Sequence, residues 1–176
     1  MRILKWVLGI VVSFGIVIVL GGFLLPREIQ VARSVQIDAQ PADVFPHVNS
    51  LKATEAWSPW MGRDPNVQTT YSGPEDGVGA KLEWASDHPQ VGNGSQAIMT
   101  SIENERVETV LDFGEMGIAK AAFILTEKSG ATEVTWTLDT DMGANPVGRW
   151  MGLMMDKWVG ADYEAGLTNL KNLIEN

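Results

Sequence analysis

The chain has 176 residues, with 22 acidic against 13 basic side chains, two histidines and no cysteine. Without cysteine there is no disulfide framework, iron–sulfur cluster or thiolate zinc site. The formal net charge of −9, with no basic cluster to offset it, repels phosphate backbones and argues against nucleic-acid binding.

The first element is the run Trp6–Leu25, which carries no charge and has Ser13 as its one polar side chain. At about 1.5 Å per residue, a helix of this length spans roughly 30 Å, the thickness of a bilayer's hydrocarbon core. The run is apolar on every face, which disfavours a soluble core helix. It exceeds the roughly 7–15 apolar residues of a signal peptide, and Gly22-Phe23-Leu24-Leu25-Pro26 lacks a small-residue cleavage pattern. The expectation is therefore an uncleaved single-pass anchor, residues 1–26, meeting the membrane through residues 3–25. Arg2 and Lys5 precede the run, whereas Arg27 and Glu28 nearly cancel after it. That asymmetry predicts an amino terminus in the cytoplasm and residues 27–176, one domain's worth of chain, on the far side.

Within the domain, Ile29–Ile37 alternates as a strand, with Arg33 the exception on its apolar side. Pro41 and Asp43 mark a helix start, and Val44, Phe45 and Val48 give it an apolar stripe. A second short helix is expected at Leu51–Ala56, ending before Trp57-Ser58-Pro59-Trp60. Six strands follow between turn signals: 67–71, 79–85, 95–102, 107–113, 119–126 and 132–140. Asn145-Pro146 reads as a cap and first helical position. From there Val147, Met151, Met154, Trp158, Ala161, Ala165 and Leu170 recur at near-helical spacing, and this helix is expected to cover the sheet's apolar face. The fold class is α+β, with a curved antiparallel sheet of about seven strands wrapped on a long carboxyl-terminal helix.

Several stretches fit one family in order: Val31-Ala32-Arg33-Ser34-Val35, Pro41-Ala42-Asp43-Val44-Phe45, Trp57-Ser58-Pro59-Trp60, Tyr71-Ser72-Gly73-Pro74, residues 77–84, Val134-Thr135-Trp136 and Tyr163-Glu164-Ala165-Gly166-Leu167. Together they resemble the START-like (SRPBCC, helix-grip) superfamily, and within it the bacterial polyketide cyclase/dehydrase and lipid-transport group. Gln40 departs from the pattern, because relatives often carry a capping serine there. The resemblance implies a deep apolar cavity between sheet and last helix, and a location at the bacterial inner membrane with the domain facing the periplasm or exterior.

Candidate cavity-lining residues are Leu82, Trp84, Met99, Phe113, Phe123, Trp136 and Leu138 on strands, and Met151, Met154, Met155 and Trp158 on the last helix. Methionine adapts to varied apolar guests. Trp57 and Trp60, which the resemblance places near the cavity mouth, either gate entry or staple the second helix to the sheet. The expected partner is a small lipophilic molecule, bound without catalysis and without a cofactor or metal; a protein partner is not identified. The alternatives are a cyclase- or hydrolase-type enzyme using the same pocket, and an envelope interaction module. Catalytic signals are sparse. His47 falls within the first helix pattern, and His88 in the turn Asp87-His88-Pro89. No G-x-S-x-G or H-E-x-x-H motif occurs, and the glycine pairs at 77/79 and 92/94 lie between strands. Arg33, Asp112 and Arg149 are the charged residues considered for the interior.

Overall fold

The inner face of one curved sheet organises the domain. Its seven antiparallel strands are β1 (Glu28–Ile37), β2 (Gln68–Ser72), β3 (Lys81–Ala85), β4 (Gly94–Ile102), β5 (Arg106–Asp112), β6 (Ile118–Lys128) and β7 (Ala131–Asp141), in the spatial order β1-β7-β6-β5-β4-β3-β2. The structure, a computed structural model, describes residues 2–176. Met1 and the side chains of Arg2, Ile3, Leu4 and Leu8 lie outside the described residues, so of the charges expected ahead of the apolar run only that of Lys5 is placed. The helices are α1 (Arg2–Leu24), α2 (Pro41–Asn49) and α3 (Pro146–Glu175), with short 3-10 turns at Ala53–Ala56 after α2 and at Gly114–Met116 between β5 and β6. The order of elements and the α+β helix-grip class follow the expectation from the sequence.

Local chemistry explains the element ends. Pro41 occupies the first turn of α2, and Gln40 makes no side-chain cap bond. The Asn145 carbonyl oxygen accepts from the Val147 backbone N–H at 3.0 Å and caps α3. Strands β6 and β7 meet through Ser129 and Gly130, both at positive φ (54° and 89°), as a two-residue primed turn requires.

One irregularity redirects a side chain. In the β4–β5 pair the register shifts between Ile98 and Thr100, which leaves Met99 as the extra residue of a bulge. Ile98 remains buried, and Met99 is exposed instead of lining the interior as expected.

The rotation of α3 about its own axis is the second correction. Its buried residues are Gly152, Gly160, Tyr163, Gly166, Leu167 and Leu170. A Cβ at Gly152 would lie 2.9 Å from the Ile29 side chain, and one at Gly166 would lie 2.9 Å from the Trp136 ring. At Gly160 it would lie 2.1 Å from the Arg33 guanidinium. The helix thus presents its small residues to the sheet. Of the periodic set read from the sequence, Leu170 is buried, while Val147, Met151, Met154, Trp158, Ala161 and Ala165 are exposed.

Arg33 holds this arrangement. Its Nε donates to Glu164 at 2.6 Å and its Nη1 to Asp156 at 2.9 Å, while Nη2 donates to the Asp156 carbonyl at 3.1 Å. Its hydrogen bonds keep the Asp156 carboxyl below the usual carboxylate range. A strand residue on the apolar side is therefore a clamp between β1 and α3.

Helix α1 is long and apolar enough to cross a membrane, with a span at Lys5–Leu24. Among the described residues, none of α1 belongs to the core cluster, whose partly buried margin begins at Ile29. The end of α1 does touch α3. The Trp150 indole N–H donates to the Ile18 carbonyl at 2.9 Å, and Arg149 lies 5.8 Å from the Phe23 ring centroid. Gly21 admits the Trp150 ring, and the buried Gly22 admits the backbone of Pro146.

Two stability experiments check the seam. Gly→Ala in a helix normally stabilises by about 1 kcal/mol. Gly166→Ala is instead expected to destabilise by about 1–3 kcal/mol through overpacking against Trp136, measured by denaturant unfolding. Arg33→Gln is expected to lower the melting temperature at pH 7. Because the Asp156 pKa is lowered in the folded state, that contribution is present above its unfolded value of about 3.9. It is lost as pH falls further, so the melting temperatures of variant and wild type should converge in acid. A gap that persists undiminished below that pH would remove Asp156 from the clamp.

Candidate functional site

The space between sheet and α3 is where an apolar guest would go, and aromatic rings occupy much of it. Tyr163 stacks on Trp136 with centroids 3.8 Å apart and planes 7° from parallel. Trp57 meets Trp136 edge-on at 5.4 Å and Phe123 at 5.7 Å. Trp60 meets Trp136 at 5.7 Å and Tyr163 at 6.2 Å, again edge-on. These offset and edge-to-face geometries are the favourable ones for aromatic pairs.

The loop that carries the two tryptophans is tied at several points. The Trp57 indole N–H donates to the His47 carbonyl at 3.1 Å, and Asn169 of α3 donates to the Trp57 carbonyl at 3.2 Å. Arg63 forms a two-pronged ion pair with Asp162 of α3. Trp57 is 2% exposed and belongs to the core, joining α2 to the sheet. Trp60 is half-buried at the margin of the same cluster. The two residues therefore differ in kind: Trp57 is a staple within the core, and Trp60 is half-buried at its edge.

The remaining sequence candidates divide into three groups. Leu82, Phe123, Trp136 and Leu138 are buried, as Trp57 is. Trp84, Phe113 and Met155 are half-buried against the core, as Trp60 is. Met99, Met151, Met154 and Trp158 are exposed by 58%, 53%, 37% and 49% and are not brought together with the others. For Met99 the cause is the bulge. For the three helix residues it is the glycine face of α3, which turns the bulky stripe away from the sheet.

Further residues outside the candidate set pack half-buried against the core, as Trp84, Phe113, Trp60 and Met155 do, among them Met61 after Trp60, Leu111 on β5 and Val159 on α3. Trp84 and Phe113 form their own edge-on pair at 5.9 Å. Gly94 permits that placement, because a Cβ there would lie 2.5 Å from the Trp84 ring.

Polar groups on the inner face are few and mostly engaged. Gln96 donates to the buried Thr109 hydroxyl at 3.1 Å, and the Thr132 hydroxyl donates to the Ala39 carbonyl at 2.7 Å. Burial raises the Tyr163 pKa well above its ordinary value, so the phenol stays neutral and keeps its proton. Two open clefts, of about 460 and 510 Å³, lie elsewhere. The first is lined by Gln68, Thr70, Glu83 and Ser95 together with the candidate residue Trp84, the second by Glu28, Gln30, Lys120 and Asp139 together with Ile29.

Neither histidine approaches the interior as a base. His47 lends its backbone carbonyl to Trp57, and His88 Nδ1 accepts from the Gln90 backbone N–H at 3.2 Å. The carboxylate nearest in the network to His88 is Asp64 rather than Asp87. Ser86 bridges them, its hydroxyl donating to Asp64 and accepting from the His88 backbone N–H at 2.9 Å. Hydrogen bonds from Ser86 and Asn66 hold the Asp64 carboxyl below its usual range. Asp112 is exposed and caps the Gly114 N–H, and Arg149 turns towards α1.

A filled aromatic core under a grip helix is a scaffold feature, and the sequence match decides the family. Residues 28–175 match the family described as polyketide cyclase/dehydrase and lipid transport. The chain belongs to that family. Its description joins enzymes with carriers, so membership alone leaves the activity open. A comparison with curated proteins finds no match.

Solved structures share the family fold at low identity. The di-domain aromatase/cyclase StfQ from the steffimycin biosynthetic pathway aligns with a TM-score of 0.64 at 8% identity, over 84% of this chain and 51% of that one. Protein Ms6760 from Mycobacterium smegmatis aligns at 0.59 and 14% identity, over 84% and 91%. The Aha1 dimer from Colwellia psychrerythraea aligns at 0.55 and 18% identity, over 84% and 96%. At such identities the likeness establishes the fold alone.

Proposed function

We propose that this family member is a membrane-anchored domain that binds a small lipophilic molecule between the Trp60–Met61 loop and α3, without chemistry of its own. The observation that carries the reading is the half-buried margin of Trp60, Met61, Met155 and Val159 beside a closed core. Two methionines and a loop tryptophan can change rotamer or swing outward at lower cost than strand residues locked by packing. A guest would occupy the space they vacate and rest on the Trp136–Tyr163 stack. Description of the family as including lipid transport agrees with this.

The non-catalytic part of the reading rests on the interior's chemistry. A general acid or base needs a titratable group at the reacting atoms. Among the described residues, Arg33 is paired with Asp156 and Glu164, and Arg63 with Asp162, and Asp139, the carboxylate that acts on Tyr163, accepts from Gln30. One observation favours the cyclase-type enzyme as a second reading. Tyr163 is a buried phenol that keeps its proton, and a hydroxyl of that kind can donate a hydrogen bond to a carbonyl.

The anchor and its direction belong to the same proposal. Residues 1–26 cross the membrane, with Arg2 and Lys5 retained in the cytoplasm and residues 27–176 facing the periplasm or exterior. The fit of Gly21 and Gly22 against Trp150 and Pro146 supports keeping the helix as part of the working protein.

Titration of the detergent-extracted protein with an apolar fluorescent probe, alongside native mass spectrometry, tests the site. Met155→Trp should fill the margin and weaken probe binding about ten-fold or more, the scale of a lost pocket contact. Met99→Gln, on the outer bulge, should leave binding as it was. Equal loss in both variants, or saturable binding in neither variant nor wild type, would sink the reading. A covalently altered guest that disappears in Tyr163→Phe would shift the case to the enzyme.

Deleting residues 1–26 should leave a domain that melts cooperatively, since the core cluster includes no described residue of α1. A broad, non-cooperative melt in detergent would make α1 part of the fold.

A further inference from the structure

Exposed apolar side chains are distributed unevenly over this molecule. Twelve of the large ones belong to α1, from Trp6 to Leu24. Eight more gather beyond it: Val147, Trp150, Met151, Leu153, Met154 and Trp158 on α3, with Met116 and Ile118 at the β5–β6 connection. The rest, Tyr71, Val78, Met99, Ile102 and Leu173, are scattered singly, as on any soluble protein.

Most of the eight lie toward one end of the domain, where Gly152 of α3 meets Ile29 at the start of β1, while Trp158 lies nearer the middle, beside the Arg33 clamp. Glu28 at the start of β1 pairs with Asp141 at the end of β7; next across the sheet, Ile118 at the start of β6 pairs with Asp112 at the end of β5. That is the end where the chain leaves α1. On α3, residues 147, 150, 151, 154 and 158 recur at three- and four-residue spacing and form one stripe. The acidic character of the chain stops there as well. No carboxylate occurs from Met142 to Met155, in a sequence that carries 22.

We infer that the start of α3 is sunk into the membrane interface, with Val147, Trp150, Met151 and Met154 in contact with lipid of the leaflet where α1 ends. This rests on α1 crossing a bilayer. The depth follows from a contact. Trp150 donates to the carbonyl of Ile18, six residues before the last residue of the span, or roughly 9 Å along the helix axis. Trp150 therefore reaches below the boundary at which α1 emerges, while Gly152 on Ile29 and Asp156 on Arg33 show α3 rising past that boundary from there on. Arg149 bonds the Leu25 carbonyl at 3.4 Å, at the level where a cation meets headgroups, and tryptophan is the side chain favoured at that interface. The domain is thus held to the membrane twice, by a spanning helix and by a half-sunk one.

The absence of cysteine makes the test clean. Full-length protein carrying a single nitroxide at Met151→Cys or Met154→Cys is placed in nanodiscs of phosphatidylcholine and phosphatidylglycerol. Collision with oxygen, which concentrates in lipid, is compared with collision with a water-soluble nickel chelate. Val12→Cys, within the span, and Glu127→Cys, near the hairpin at the opposite end of the sheet, are the references. Both α3 sites should give an oxygen-to-nickel ratio several-fold above that at Glu127, lying between it and the ratio at Val12. If they match Glu127 while Val12 stays in lipid, the immersion is wrong and the anchor stands. A nickel-accessible Val12 removes the anchor and the immersion together. Nickel exclusion accompanied by spin–spin broadening that unlabelled chain dilutes away would assign the stripe to a second copy, and overturn the lipid contact.

Discussion

The contact on which the rest of the molecule depends is the guanidinium of Arg33 lying against the bare backbone of Gly160. Any side chain at 160 would occupy the place of Nη2. With the glycine there, Arg33 bonds Asp156 and Glu164, on either side of Gly160, and fixes the rotation of α3 about its axis. A helix with apolar residues on two faces has two ways to lie on a sheet, and hydrophobicity alone does not choose between them. The charged seam chooses. Ion pairs as exposed as these add modest stability, but their geometry is specific, and here the specificity is what counts.

Once that rotation is set, the division of labour along α3 follows. Tyr163 is delivered onto Trp136, and Gly166 makes room for the stack and for Pro59. The loop after α2 is then drawn down by Asn169 and by the Arg63–Asp162 pair, with Trp57 beneath it and Trp60 at its margin. The same rotation places Val147, Met151, Met154 and Trp158 on the outside. An interior with little free volume and an apolar exterior stripe are two results of one packing decision.

Much of this was legible beforehand. Period-two alternation, the Ser129-Gly130 turn and the Asn145-Pro146 cap are local signals, and each element formed close to where those signals placed it. The buried aromatic residues on strands were also readable, because on a strand alternation assigns a face outright. The faces of α3 were not. Its most hydrophobic stripe was read as the buried one, yet glycines at 152, 160 and 166 carry the close approach. A run of glycines at near-helical intervals was the available signal, and hydrophobic periodicity is blind to it. Met99 was misplaced for a related reason: one extra residue in β4 inverts the inward and outward sets, and no residue in Ala97–Thr100 announces a bulge. Arg33 looked like an exception because its partners lie over 120 residues away.

The two faces of α3 also bear on how a lipophile would reach the site. The half-buried margin includes Leu111 and Phe113 at the end of β5, and that end lies across β6 and β7 from Glu28, where the chain leaves α1. Met155 follows Met154 directly, so the margin and the outer stripe adjoin on consecutive residues of one helix. A guest leaving the leaflet beside α3 would pass from the Met154 side of the helix to the Met155 side. By comparison, transfer through water would cost about 25 cal/mol for each Å² of guest exposed. For a guest with several hundred Å² of apolar surface the saving is many kcal/mol. Tethering then makes physical sense: a carrier that takes its cargo at the membrane gains more from a fixed, immersed flank than from free diffusion.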